Sequence, residues 1–139
     1  MKIYVLSYLA TGIVFLACDA VWLSITGSTL YRPLLGDLLL ATFRLGPAIA
    51  FYLIYMAGIV FFATSRAIAS GRWSTALVNG ALFGFVAYAT YDLTNQATLR
   101  SWSMTITILD LCWGTVLTGV AATLGYLIAS AIARATSAN

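Results

Sequence analysis

An all-α fold, a polytopic four-helix bundle crossing a membrane, is predicted by three observations. Of 139 residues, 62% are hydrophobic and only 8% charged, whereas a soluble domain of this size carries roughly a quarter charged residues. The mean hydropathy is +0.96. Four apolar runs, about 3–26, 47–68, 74–98 and 103–133, each have about the 20 residues that a helix needs to cross the hydrocarbon core. Together they make one transmembrane domain, 1–139, with little chain left outside the bilayer.

The first run superficially resembles a signal peptide. It continues past Asp19 through Ile25, longer than a signal h-region, and so reads as a retained first span. The connection from Gly27 to Gly46 is the only long one. It holds LLGDLLLATF between Arg32 and Arg44, which reads as an interfacial helix within 31–45, with Asp37 as its solvated charge. Gly46-Pro47 opens the second span, since proline is tolerated in a first helical turn. Ser70-Gly71-Arg72-Trp73 is a tight turn, and Arg100-Ser101 is another, so the later spans run as antiparallel neighbours. The fourth span is long enough to tilt or to project from the membrane.

Lys2, Arg66, Arg72 and Arg134 fall on one side of this arrangement, and Arg32, Arg44 and Arg100 on the other. The positive-inside rule then places both termini in the cytoplasm. No basic cluster follows a phosphate backbone, which argues against nucleic-acid binding. Cys18 and Cys112 lie in apolar runs and read as small buried hydrophobes. With no histidine and no ligand spacing, neither a metal site nor a disulfide is indicated.

Three of the four acidic residues interrupt the spans: Asp19, Asp92 and Asp110. A charged side chain at the bilayer centre costs at least ~2.5–3.5 kcal/mol on insertion scales, and it usually faces a bundle interior or a water-filled cavity. Each aspartate falls six or seven residues from the same end of its span. At 1.5 Å per residue that predicts one layer ~10 Å below one membrane face. Three such carboxylates cannot all stay charged in a low dielectric, so a proton, a cation, a bound amine or an arginine must compensate. Arg44 and Arg100 lie at the right face to do so.

Residues three or four apart share a helix face. On that basis Phe15, Asp19, Trp22 and Thr26 form one stripe, and Gly84, Tyr88, Asp92 and Asn95 another. Asp110, Trp113, Gly114 and Thr118 form a third, with Phe51, Tyr52 and Tyr55 of the second span near the same depth. Asp-x-x-Trp occurs twice, at Asp19–Trp22 and Asp110–Trp113, setting an indole N–H donor beside each carboxylate. Tyr88 is one turn from Asp92. Trp73 and Trp102, at helix starts, read as interfacial belt residues. Gly80-x-x-x-Gly84, Gly114-x-x-x-Thr118 and Thr115-x-x-x-Gly119 permit close helix packing.

With both Asp-x-x-Trp motifs and the stretch YDLTNQATL at Tyr91–Leu99, the chain resembles a bacterial family of small four-span membrane proteins of unknown function. The resemblance covers nearly the whole chain. It implies the four-helix fold and an inner-membrane location, and supplies no activity, cofactor or ligand.

Three readings follow. In the first, Asp19, Asp92 and Asp110 bind a cation or small molecule or exchange protons, in a binding or proton-coupled transport role. Tyr88 and Asn95 then orient the ligand, and Trp22, Trp113 and Tyr55 line the pocket. In the second, a carboxylate acts as general acid or base on a lipid. No Ser-His, Cys-His or metal signature supports that chemistry, no catalytic residue is assigned, and it would need a cofactor or partner that the sequence does not show. In the third, the polar layer holds helices together within a homo-oligomer or larger membrane complex. The lipid bilayer is the partner common to all three.

Overall fold

The computed structural model describes residues 2–137, and among these every regular element is helical. Four long helices organise the chain: α1 (Lys2–Leu38), α2 (Leu45–Ser70), α3 (Trp73–Thr98) and α4 (Met104–Ser137). Three of them, α1, α2 and α4, are long and apolar enough to cross a membrane. The 26 residues of α3 would reach about 39 Å at 1.5 Å each. Asn79, Asp92, Asn95 and Gln96 make it markedly less apolar.

The first helix does not stop where its apolar run does. Regular α-helix covers Lys2–Thr26, and a wider π turn, Gly27–Tyr31, carries it onward into Arg32–Leu35 and a tight turn at Gly36–Leu38. Pro33 accounts for the irregularity. It has no N–H to give to the helix ladder, and a widened turn just ahead of it relieves the mismatch. The Arg32 N–H reaches back to the Gly27 carbonyl instead. Gly36, with φ +46°, ends the α-helical path in a conformation that suits glycine. The segment 31–45 therefore forms no separate interfacial helix: its first part continues α1, and 39–44 is irregular.

In α2, a second π turn occupies Val60–Thr64. The helix ends at Gly71, left-handed with φ +68°, whose N–H bonds the Ala67 carbonyl at 2.8 Å. This is the common glycine stop for a helix, and it turns the chain straight into α3.

The most extensive packing in the molecule is between α3 and α4, and α4 also packs along α1. The second half of α2 packs against α3, α1 and α4. A core of Phe15, Tyr55, Met56, Ile59, Leu117, Ala121, Ala122 and Tyr126 fills the space between them. Apolar side chains such as Ile13, Ile54, Phe61 and Val78 point outward, as in a protein whose solvent is lipid. Cys112 belongs to that outward surface and is exposed, against the expectation of burial, while Cys18 is half-buried; both are free thiols.

Small residues set the helix register. A Cβ on Gly80 would stand 2.7 Å from the Ala122 Cβ, and one on Gly84 2.7 Å from the Thr118 Cβ. The next pairing, one turn on, seats the Tyr88 ring over Gly114. Each step of four along α3 is matched by four steps back along α4, so the helices are antiparallel and in close contact.

Candidate functional site: two facing carboxylates and an aromatic cleft

Carried one further turn, that register sets Asp92 opposite Asp110. Both are buried, at 0% and 7% exposure. Asp110 lies within range of the charge of Asp92 and of Asp19. Asp19, 8% exposed, is not level with them. Contacts of Thr11 with Gly125 and Trp22 with Trp113 set the α1–α4 register. This places Asp19 opposite residues 116–117, roughly 10 Å along the axis from the Asp110 level. The three acids thus divide into a facing pair and a deeper single residue.

Their partners also differ. Asp19 accepts a hydrogen bond from the Tyr52 hydroxyl at 2.7 Å, tying α1 to α2. Asp110 accepts one from the Tyr31 hydroxyl at 2.5 Å. Tyr31 in turn accepts from the Trp22 indole N–H at 3.1 Å, so a short relay runs from α1 into the acid on α4. Asp92 differs from both: neither carboxylate oxygen has a hydrogen-bond partner among the described residues. The partners found for the acids are tyrosines, not Arg44 or Arg100.

The tryptophans do not act as their spacing suggested. Neither indole bonds the aspartate three residues before it. Trp22 and Trp113 stack on each other, centroids 4.3 Å apart and planes 9° from parallel, and the buried Trp113 N–H has no partner among the described residues. Such a ring pair is worth about 0.5–1.5 kcal/mol beyond its buried area. A double-mutant cycle of Trp22→Leu and Trp113→Leu, read by unfolding in mixed micelles, should show a coupling of that order, and additive effects would refute the stack.

Tyr88 does not bond Asp92. Its ring instead meets Tyr55 edge-on, centroids 6.4 Å apart, over the space that Gly114 leaves open. The Tyr55 hydroxyl bonds Thr118 at 2.9 Å. Asn95 is half-buried on α3, and its carbonyl closes the helix end by accepting from the Leu99 N–H. One turn further out, Trp102 N–H donates to Thr107, and Thr107 to Gln96.

Two clefts meet at Asp110. One, of about 400 Å³, is lined by Phe51, Tyr55, Ala87, Tyr88, Tyr91 and Asp110. The other, of about 710 Å³, lies under the irregular segment after α1 and includes Tyr31, Arg32, Arg44 and Trp102. Tyr91 and Asp110 belong to both. A carboxylate at such a junction can be reached from an aromatic side and from a mostly aliphatic side that carries Arg32 and Arg44.

Tyr31 is the residue that sequence reasoning missed. It fell in a stretch read as interfacial, and only continuation of the helix through Gly27 brings it back over Asp110. Tyr31→Phe removes the donor to Asp110 and the acceptor for Trp22 together. Interhelical bonds in membranes are worth ~0.6–2 kcal/mol. The variant should lose about that much in reversible unfolding in mixed micelles, and an unchanged midpoint would rule out the relay as a structural tie.

The chain matches no curated protein and no solved structure. A family match does cover most of its length, from the first turns of α1 to the middle of α4. Over residues 4–127 the chain belongs to the family described as "Predicted membrane protein (DUF2177)".

Proposed function

We propose that this is a four-span inner-membrane protein, both termini cytoplasmic, that binds a proton or a small cation at the Asp92–Asp110 pair. In this reading α3 is the fourth span. Its polar residues are tolerated because Asp92 packs inward against α4. Exchange of the proton for the cation would make the pair the coupling element of a transporter, with a homo-oligomer supplying the moving interface.

The supporting observation is Asp92 itself: fully buried, with neither oxygen bonded among the described residues. An ionised carboxylate without partners in a low dielectric is too costly to persist. A proton or a cation is the simplest compensation, and Asp110 across the interface completes a two-carboxylate site. Asp19 has a different part. Its bond to Tyr52 makes it a tie between helices, so Asp19→Asn should leave binding intact.

Infrared difference spectroscopy of the protein in nanodiscs tests this. A carboxylic-acid C=O band should be present in wild type, vanish in Asp92→Asn, and diminish as a cation is titrated in. In proteoliposomes the same titration should release protons. A spectrum identical in wild type and Asp92→Asn, with no proton release, would overturn the reading.

A further inference from the structure

We infer that the cation taken at Asp110 is an organic ammonium, held in the aromatic cleft beside the acid pair. This inference rests on the cation-binding reading above and specifies its ligand. The cleft brings four aromatic rings, Phe51, Tyr55, Tyr88 and Tyr91, to one buried carboxylate. Among the described residues no basic side chain lines it; Arg32 and Arg44 lie on the neighbouring cleft, beyond the wall formed by Tyr91 and Asp110.

The rings are arranged as a corner. Tyr55 and Tyr88 stand 77° apart, and Phe51 lies 5.2 Å from Tyr55. Ring faces carry negative charge density, and several of them around a cation recognise alkylammonium groups. The acid retains acceptor capacity as well, since Tyr31 engages only Oδ1. A bare alkali or divalent ion needs a shell of oxygen ligands, whereas this cleft offers one carboxylate, the hydroxyls of three tyrosines, of which that of Tyr55 is bonded to Thr118, and otherwise carbon. A volume of about 400 Å³ is ample for a substituted ammonium and far larger than a dehydrated metal ion.

The probe is tetraethylammonium, titrated into protein in nanodiscs, with sodium and potassium as comparisons. Wild type should bind tetraethylammonium in preference to either metal ion. Phe51→Leu removes one ring at a position that is 46% exposed, so the fold should tolerate it. Binding should weaken about 2- to 30-fold, the range for a lost cation–π contact. Phe61→Leu removes a ring outside this cleft, at a position that is 71% exposed, and should bind as wild type does. The infrared band of Asp92 should be unchanged in Phe51→Leu.

Equal binding of sodium and tetraethylammonium would overturn the inference, as would Phe51→Leu binding at full strength. If the Asp92 band titrates normally while no ammonium binds, the ligand assignment fails and the acid-pair reading survives. If the band is missing in wild type, both fail. A cleft filled by a lipid acyl chain would show tetraethylammonium binding in detergent but none in nanodiscs, and would also refute the inference.

Discussion

Gly84→Leu is expected to separate α3 from α4 and to unfold the protein at ordinary temperature. A Cβ at this position would collide with the Gly114 carbonyl and come within 2.6 Å of the Thr118 hydroxyl. One obstacle is backbone, which cannot rotate away. The other is held by its bond to Tyr55. Overpacking costs about 1–3 kcal/mol when side chains can shift, and more when they cannot. In this interface the helices themselves must move, and the interface is the largest in the molecule. A loss above about 3 kcal/mol is therefore expected, read as a lowered midpoint of unfolding in mixed micelles. Gly46→Ala is the control. Nothing lies within 4 Å of its added carbon, and its effect should stay within about 0.5 kcal/mol. A Gly84→Leu protein as stable as the control would mean that α3 and α4 do not meet in this register.

Asp92→Leu should do the opposite to stability while removing function. Most substitutions at fully buried positions destabilise, typically by ~0.5–3 kcal/mol. Here the wild-type side chain buries two acceptors with no donor among the described residues. Leaving a buried polar group unsatisfied costs about 1–3 kcal/mol, and an apolar group of similar shape lifts that cost. A gain of that order is the expected result, accompanied by loss of ammonium binding and of the infrared carboxyl band. Asp92→Asn separates shape from charge: it should lose the band and proton release while folding normally. A fall in stability in Asp92→Leu would show that the carboxyl group has a bonded partner and would sink the idea of a vacant acceptor.

Much of this arrangement was legible in the residues, for identifiable reasons. Long apolar runs locate helices because a helix satisfies its own backbone in lipid. The spacing of Gly80 and Gly84 against Gly114 and Thr118 marked the close interface, because only small side chains let two backbones approach. The burial of three aspartates followed from the cost of exposing them to hydrocarbon. What failed depended on contacts between segments. The single layer of acids assumed that α1 ends near residue 26; the helix runs on to Leu38, which leaves Asp19 deeper than Asp92 and Asp110. The Asp-x-x-Trp motif suggested bonds within one helix, yet Trp22 finds its stacking partner on α4 and its hydrogen-bond acceptor nine residues along its own chain. Tyr88 stands one turn from Asp92 and within reach of it, but the absent side chain of Gly114 offers its ring a better seat. Spacing along one helix reports which residues share a face; it carries no information on which neighbour that face meets.

The π turn at Gly27–Tyr31 is, in effect, an α-helix holding one surplus residue. Everything beyond it is rotated by about 100° relative to an uninterrupted helix. Wound as a regular α-helix, the same residues would swing Tyr31 a quarter-turn or more off the Asp110 face, whereas deleting Ser28 removes the surplus and should leave the hydroxyl on that face. The polar site is thus set by phase as well as by composition: one residue taken up in a widened turn, invisible to any count of charges or aromatics, decides whether the hydroxyl and the carboxylate meet.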